Sequence, residues 1–288
     1  IGAKVEILGP FEVEKIQVSV SENKYSVFTA VPTIYFSLID EMEKMGDKKL
    51  HALKKGFQGM RLMMSGSAAL APEIHKKWTN LTGQILLERY GMTEVGMAIS
   101  NPYEGERRPG SIGLPLPNVE IRLIDNGKII EEENTPGEIM IKGPQVFSGY
   151  WGKPVITKKS FKDGWFKSGD VAVLEKGYFK ILGRNSVDII KSGAYKISAL
   201  EIENILIKHP LIKECAVVGL EDKKWGEIVA VSVTIVEKED LSLEDLQKWS
   251  SDFLSDYKIP RKINIVSELP KNSMGKINKP EVKKSFST

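Results

Sequence analysis

The sequence predicts an α/β protein, and three observations carry that prediction. Strand-like and helix-like pieces alternate over the first hundred or so residues. From about Arg107 the texture changes to short alternating segments separated by glycine and proline. After Gly183-Arg184 comes a last unit of roughly 100 residues, with helical patterns among β-like runs.

In chain order, Val5-Glu6-Ile7-Leu8 and Ser26-Val27-Phe28-Thr29-Ala30 read as strands. A helix opens at Pro32, because proline is tolerated in the first turn, where the N–H it lacks would have no partner. Arg61-Leu62-Met63-Met64-Ser65 is an apolar run of buried-strand length, Pro72 opens a helix through Trp78, and Gln84-Ile85-Leu86-Leu87-Glu88 returns as a strand. Val119-Glu120-Ile121-Arg122-Leu123 and Gly137-Glu138-Ile139-Met140-Ile141 suit a small sheet or barrel. The last unit carries a helix over Ser198 to His209, two β-like runs, and a helix over Ser242 to Tyr257. Ser242 and Asp245 stand at capping-box spacing, with aspartate in place of the usual Glu or Gln. These readings divide the chain into 1–106, 107–184 and 185–288.

Composition narrows the function classes. The 288 residues are 41% hydrophobic and 27% charged, which excludes disordered and fibrous classes. Lysine and arginine (41) nearly balance aspartate and glutamate (38), and a net +3 is too weak a field to argue for nucleic acid. No apolar stretch approaches the ~20 residues of a membrane span, so no integral membrane segment is expected. The single cysteine, Cys215, lies in an apolar run and reads as a buried strand residue. His51, His75 and His209 show no metal-ligand spacing. The chain begins at Ile1 rather than Met and shows no leader pattern, so processing or truncation is expected.

The chemistry-bearing motifs are individually modest. Gly66-Ser67-Ala68-Ala69-Leu70 follows a strand, where small residues let a flat ring approach the backbone. Tyr90-Gly91-Met92-Thr93-Glu94 brings an aromatic face, a hydroxyl and a carboxylate to the carboxyl end of the next strand, where open α/β sheets bind ligands; the alternative is a turn with Thr93 capping a helix. Asp170, in Gly164-Trp165-Phe166-Lys167-Ser168-Gly169-Asp170, could accept hydrogen bonds from a ribose, and Arg184 could donate to the same sugar or a phosphate; the alternative is a surface ion pair. Pro270-Lys271-Asn272-Ser273-Met274-Gly275-Lys276-Ile277 puts Lys276 on a glycine-bearing loop suited to an anion, or leaves it a solvated tail lysine.

Taken together, the order and spacing of these blocks resemble the adenylate-forming superfamily of AMP-forming acyl-CoA synthetases, luciferases and peptide-synthetase adenylation domains. The likeness extends through Gly137 to Pro144, Gly149-Tyr150-Trp151, Gly183-Arg184 to Gly193, and Glu201-Ile202-Glu203, and so spans nearly the whole chain. It implies partial N-terminal α/β and β-barrel subdomains followed by a small mobile α+β C-terminal domain. It also implies ATP, Mg²⁺ and coenzyme A as cofactors, and a small carboxylic acid as substrate. Residue by residue, it implies that Tyr90, with Gly91, stacks on adenine beside Gly66, Ser67 and Ala68. Thr93 would contact phosphate, Glu94 would hold Mg²⁺, and Asp170 with Arg184 would bind the ribose. Lys276 would bridge the reacting carboxylate and the α-phosphate. After adenylation the last domain would swing about Ser186, where many relatives carry Asp or Lys, and present Gly193 to the thiol. Lys191 and Lys196, beside Gly193, could meet CoA phosphates or remain solvated.

Arg89 narrows the acid. It stands where many relatives have glycine, next to the acyl pocket. A guanidinium there calls for a partner: a second carboxylate on the substrate, or Glu88 or another acid of the protein. Leu87 to Glu94 and Gly183 to Gly193 resemble the malonyl-CoA synthetase branch, which implies malonate or methylmalonate as substrate and a mitochondrial setting, with the cytoplasm as alternative. A medium-chain or aromatic acyl-CoA synthetase, with Arg89 bracing the strand, is the other enzyme reading. The sequence carries no Ser/Thr-Gly-rich loop ending in Pro-Lys-Gly, and Gly56-Phe57-Gln58-Gly59 is no substitute. Without those donors for the triphosphate, these 288 residues alone are expected to have negligible adenylation activity or to act as a non-catalytic fragment.

Overall fold

The computed structural model describes residues 2–9, 12–193, 195–236, 239–272 and 276–286. They form two compact units, Ile1–Val119 and Glu120–Thr288. The elements of the first are α1 (Val13–Ser21), β1 (Val27–Ala30), α2 (Pro32–Glu43), α3 (Asp47–Gln58), β2 (Leu62–Ser65), α4 (Pro72–Thr82), β3 (Leu87–Met92), β4 (Gly96–Ser100) and β5 (Leu114–Pro115). The sheet runs in the order β1-β2-β3-β4-β5, parallel from β1 to β3 and antiparallel thereafter.

Its core is aromatic. Trp78 meets the rings of Tyr35 and Phe57 edge-on at centroid distances of 5.1 and 4.8 Å, and the Tyr35 hydroxyl donates to the Met64 carbonyl at 2.7 Å. Leu38, Met42, Leu53, Met63 and Leu86 fill in around them.

Three expectations are corrected here. Residues 2–9 form no strand: Val5 and Ile7 are 81% and 90% exposed, and β1 is the sheet's edge, paired with β2. A short strand-like segment becomes a strand only when a neighbour completes its ladder. The α1 helix was not anticipated; its Ile16 and Val20, four residues apart, are buried while most of its other side chains are not. The strand expected at Gln84–Glu88 is Leu87–Met92, because the Gln84 amide turns away to donate to the Phe57 and Met60 carbonyls at 3.0 and 2.8 Å. Tyr90, Gly91 and Met92 therefore lie inside the strand. The α4 helix also runs past Trp78 to Thr82.

The second unit holds two sheets. The first comprises β6 (Glu120–Asp125), β7 (Lys128–Ile130), β8 (Gly137–Lys142), the α5 helix (Pro154–Ser160), β9 (Phe161–Lys162), β10 (Trp165–Glu175) and β11 (Tyr178–Arg184), in strand order β11-β10-β8-β6-β7 with β9 beside β10. The second comprises β12 (Ile189–Ser192), β13 (Tyr195–Ser198), α6 (Ala199–Leu206), β14 (Ile212–Asp222), β15 (Gly226–Ile235), α7 (Leu243–Ser250), β16 (Lys262–Ile265) and α8 (Lys279–Lys284), in strand order β13-β12-β15-β14 with β16 parallel to β15. Strand alternation sorts β14 between two cores. Cys215 and Val217 pack with Ile202 of α6 and Leu246 of α7, whereas Ala216 and Val218 pack with Leu269 and Val282 of α8. Cys215 is buried as expected, and burial raises its thiol pKa. Two of these helices, α6 and α7, are capped by serine: Ser198 Oγ accepts from Glu201 N and Ser242 Oγ from Asp245 N, each at 3.1 Å. The α7 helix stops at Ser250 rather than Tyr257. Ser250 and Ser251 bond back to the Leu246 and Lys248 carbonyls there, the local competition that ends serine-containing helices.

Candidate active site

In the first unit the parallel register sets Ser65 of β2 opposite Glu88 of β3, so the turn from Gly66 to Leu70 runs beside the carboxyl half of β3. Ser67 holds a left-handed φ of 70° in that turn. A Cβ on Gly66 would lie 3.3 Å from Arg89 Nη1, so the small residue makes room for the guanidinium. The turn is held from below by a buried carboxyl, since Glu88 Oε1 accepts from Leu70 N at 2.9 Å. Glu88 Oε2 has no hydrogen-bond partner among the described residues, and burial pushes the Glu88 pKa up to about 8, well beyond what one N–H donor offsets.

Arg89 does not pair with Glu88. Its Nη2 donates to Thr29 Oγ1 at 3.3 Å and its Nη1 lies 2.9 Å from Met97 Sδ. Among the described residues no carboxylate forms an ion pair with it, and it is half-buried. Beyond it, Tyr90 pairs with Ile99, and a bulge follows before Gly91 opposes Met97. A Cβ at Gly91 would stand 2.1 Å from Gly96 O, so this tight hairpin excludes any other residue. Thr93 and Glu94 lie in the turn that leads into β4, so Thr93 caps no helix.

In the second unit Asp170 and Arg184 are direct cross-strand partners on β10 and β11, with Arg184 Nε donating to Asp170 Oδ1 at 3.0 Å. The carboxylate is buried and the guanidinium exposed, so the pair presents one cation outward from a fixed base. Ser186 lies in the turn 185–188 between β11 and β12, exposed, where Val187 N and Asp188 N both donate to the Arg184 carbonyl. Gly193 has a φ of 58°, donates its N–H to Trp225 O at 2.7 Å, and faces the Trp225 ring, which a Cβ would meet at 3.5 Å. Lys196 is exposed and pairs with Asp125, and the Lys191 backbone N–H donates to Glu227 Oε2. Lys276 follows a short stem in which Asn272 N donates to Lys276 O (2.8 Å), Lys276 N to Asn272 Oδ1 (3.0 Å) and Asn278 N to Pro270 O (2.8 Å). The Ser273-Met274-Gly275 part of that loop lies outside the described residues.

The structure thus brings Gly66, which begins the 66–70 turn, beside Arg89, and Asp170 against Arg184. Gly193 and Lys276 are carried by the last sheet and its loop. No group of three or more His, Cys, Asp and Glu side chains gathers as a metal site among the described residues. A hard divalent ion at Glu94 would draw its remaining oxygen ligands from phosphates and water, which is the usual habit of Mg²⁺. No helix among the described residues is long and apolar enough to cross a membrane.

The fold and the order of these turns define a class, and the comparison with known families agrees: the chain belongs to the AMP-binding enzymes. The model described as AMP-binding enzyme matches residues 1–151 and that described as AMP-binding enzyme C-terminal domain matches residues 201–276. The chain is 42% identical over 312 residues to "Malonate--CoA ligase ACSF3, mitochondrial" of Bos taurus, covering 97% of this chain and 52% of that protein. It is 46% identical over 281 residues to "Malonate--CoA ligase" of Arabidopsis thaliana, covering 92% of this chain and 45% of that protein. The crystal structure of ATP-bound MatB from Rhodopseudomonas palustris superposes with a TM-score of 0.87 at 35% identity, over 97% of this chain and 54% of that one. The chain spans about half the length of the relatives it matches.

Trp225 and Lys279, which is buried between Asp188 and Glu203, escaped the sequence reading, and Glu88 entered it only as a possible partner for Arg89. Only Glu88 carried a usable signal, a carboxylate closing the apolar run Ile85-Leu86-Leu87.

Proposed function

We propose that the protein ligates malonate, with methylmalonate as a second substrate, to coenzyme A through an acyl-adenylate formed from ATP, releasing AMP and pyrophosphate. The observation that carries this reading is Arg89, a half-buried guanidinium at the head of the nucleotide turn whose protein contacts are a hydroxyl and a thioether. A free carboxylate on the acid would supply charge-assisted hydrogen bonds that neither contact can.

In this reading Gly66, Ser67 and Ala68 flank the adenine while Tyr90 stacks on it and Gly91 lets the backbone approach. Asp170 accepts from the ribose hydroxyls and Arg184 donates alongside it. Thr93 binds phosphate. Glu94, a hard oxygen donor, would hold Mg²⁺, which when bound neutralises phosphate charge. A carboxylate is a poor nucleophile toward an anionic phosphate, so Lys276 holds the two together and absorbs charge as pyrophosphate leaves. Gly193 leaves room for the thiol, and residues 185–288 move about Ser186 between the half-reactions. The stretches 1–106 and 107–184 supply the nucleotide turns. A mitochondrial setting rests on the names of the animal relatives, and a wholly cytosolic pool on cell fractionation would refute it.

The test joins residues 1–288 to the preceding half of Rhodopseudomonas palustris MatB and measures thioester formation with malonate, hexanoate and benzoate. Malonate should be preferred, and R89L should lower kcat/KM for malonate by about 100-fold, the loss of one or two charge-assisted bonds. Unchanged malonate turnover in R89L, or a preference for hexanoate or benzoate, would favour the bracing role that the Thr29 and Met97 contacts also permit.

A further inference from the structure

Lys279 stands three residues past Lys276 and looks in sequence like one more tail lysine. In the fold its side chain is only 11% exposed, with Nζ 2.5 Å from Asp188 Oδ1 and 2.9 Å from Glu203 Oε1, each carboxylate side chain being 16% exposed. Both acids are also fastened to backbone: Asp188 Oδ2 accepts from Arg184 N at 2.9 Å, and Glu203 Oε1 accepts from Val217 N at 2.7 Å. Burial alone would lower the Lys279 pKa, but the two carboxylates override it and hold the ammonium above the ordinary lysine value.

The position of this triad matters because of what each member carries. Asp188 closes the turn that contains Ser186, Glu203 belongs to α6, and Lys279 begins α8 directly after the Lys276 stem. A further ion pair of the stem, Lys271 with Glu214 at 2.6 Å, is exposed and holds weakly. Lys279 therefore ties the segment after the stem to the turn, and neither can shift without unpairing charge in a dry site.

We propose that Lys279 is a positioning residue for Lys276: its ion triad with Asp188 and Glu203 locks the stem of the Lys276 loop to the 185–188 turn, so that the reacting amine is delivered from a rigid base. This rests on the reading of Lys276 given above. Because K279M alone can fail to fold, the decisive variant is the charge-free triple K279M/D188N/E203Q, whose amides still accept from Arg184 N and Val217 N.

Two measurements test it. In the 288-residue chain, amide hydrogen exchange at Asn272, Lys276 and Asn278 should accelerate at least tenfold in the triple variant, while the β14–β15 ladder keeps its protection. In the MatB-joined enzyme, kcat for adenylate formation should fall at least tenfold with KM for ATP and malonate within twofold, and K279R should restore kcat to within threefold of the parent. Parent-like exchange at those three amides in a folded triple variant, a parent-like kcat, or no rescue by K279R overturns the proposal. An unsubstituted joined enzyme without activity sinks the functional reading instead, and exchange in the chain alone then decides the anchoring.

Discussion

The two units bury charge in opposite ways. Beneath the 66–70 turn, Glu88 is buried with no cation paired to it among the described residues, and burial pushes its pKa up to about 8. Beneath the Lys276 stem, Lys279 is buried with two carboxylates and stays charged. A lone buried acid can become neutral and hold one N–H, as Glu88 holds Leu70 N. A buried triad keeps its charges only while every member is present. The first arrangement sets a turn gently; the second ties distant segments together and makes each dependent on the rest.

The largest effect that could break this contrast is K279M, which leaves Asp188 and Glu203 as uncompensated buried acids. Urea unfolding should show a loss of about 3–5 kcal/mol in the second unit, with K279R costing much less. A loss under about 1 kcal/mol would mean the triad is solvated in solution.

The Glu88 site should respond less. E88L orphans Leu70 N and should cost about 1–3 kcal/mol in the first unit, whereas E88Q keeps a neutral acceptor and should be close to silent. The pH dependence follows from a folded pKa of about 8 against an unfolded value near 4.5. The native state binds the extra proton between these values. The stabilisation is therefore complete below about pH 4.5 and is lost as pH rises through about 8. Stability curves for parent and E88Q should diverge over that window, and parallel curves would show that Glu88 is already ionised.

The smallest expected effect sharpens the comparison by giving a neutral reference. S242A removes the side-chain cap on Asp245 N and should cost about 1 kcal/mol, read by the same urea titration.

Much of this was legible in one sequence because it depends on local chemistry. Proline at helix starts, the Ser242 cap, and the strand-like runs at Val27 and Leu62 follow from propensity and period. The Val5 strand and the full reach of the second last-unit helix did not hold. The first needed a neighbour and the second ended on serine back-bonding, and neither is readable from a window of apolar residues. At the site, the spacing of Tyr90, Asp170, Arg184 and Lys276 carried the family, but not the fate of any one charge.

Arg89 illustrates that division. Its adjacency to Tyr90 is a fact of sequence. That it turns to Thr29 and Met97 while Glu88 turns inward is a fact of the strand's two faces and of where Leu70 lies. The sequence by itself determined the class of fold, the order of the family's motifs and the presence of a cation directly before Tyr90. Only the tertiary structure decided that Glu88 is buried and its pKa raised, that Lys196 pairs with Asp125, and that Lys279 is held between Asp188 and Glu203, 91 and 76 residues away in sequence. The physical reason is that burial and charge pairing are properties of neighbours brought from distant segments, whereas propensity and motif spacing belong to the chain itself.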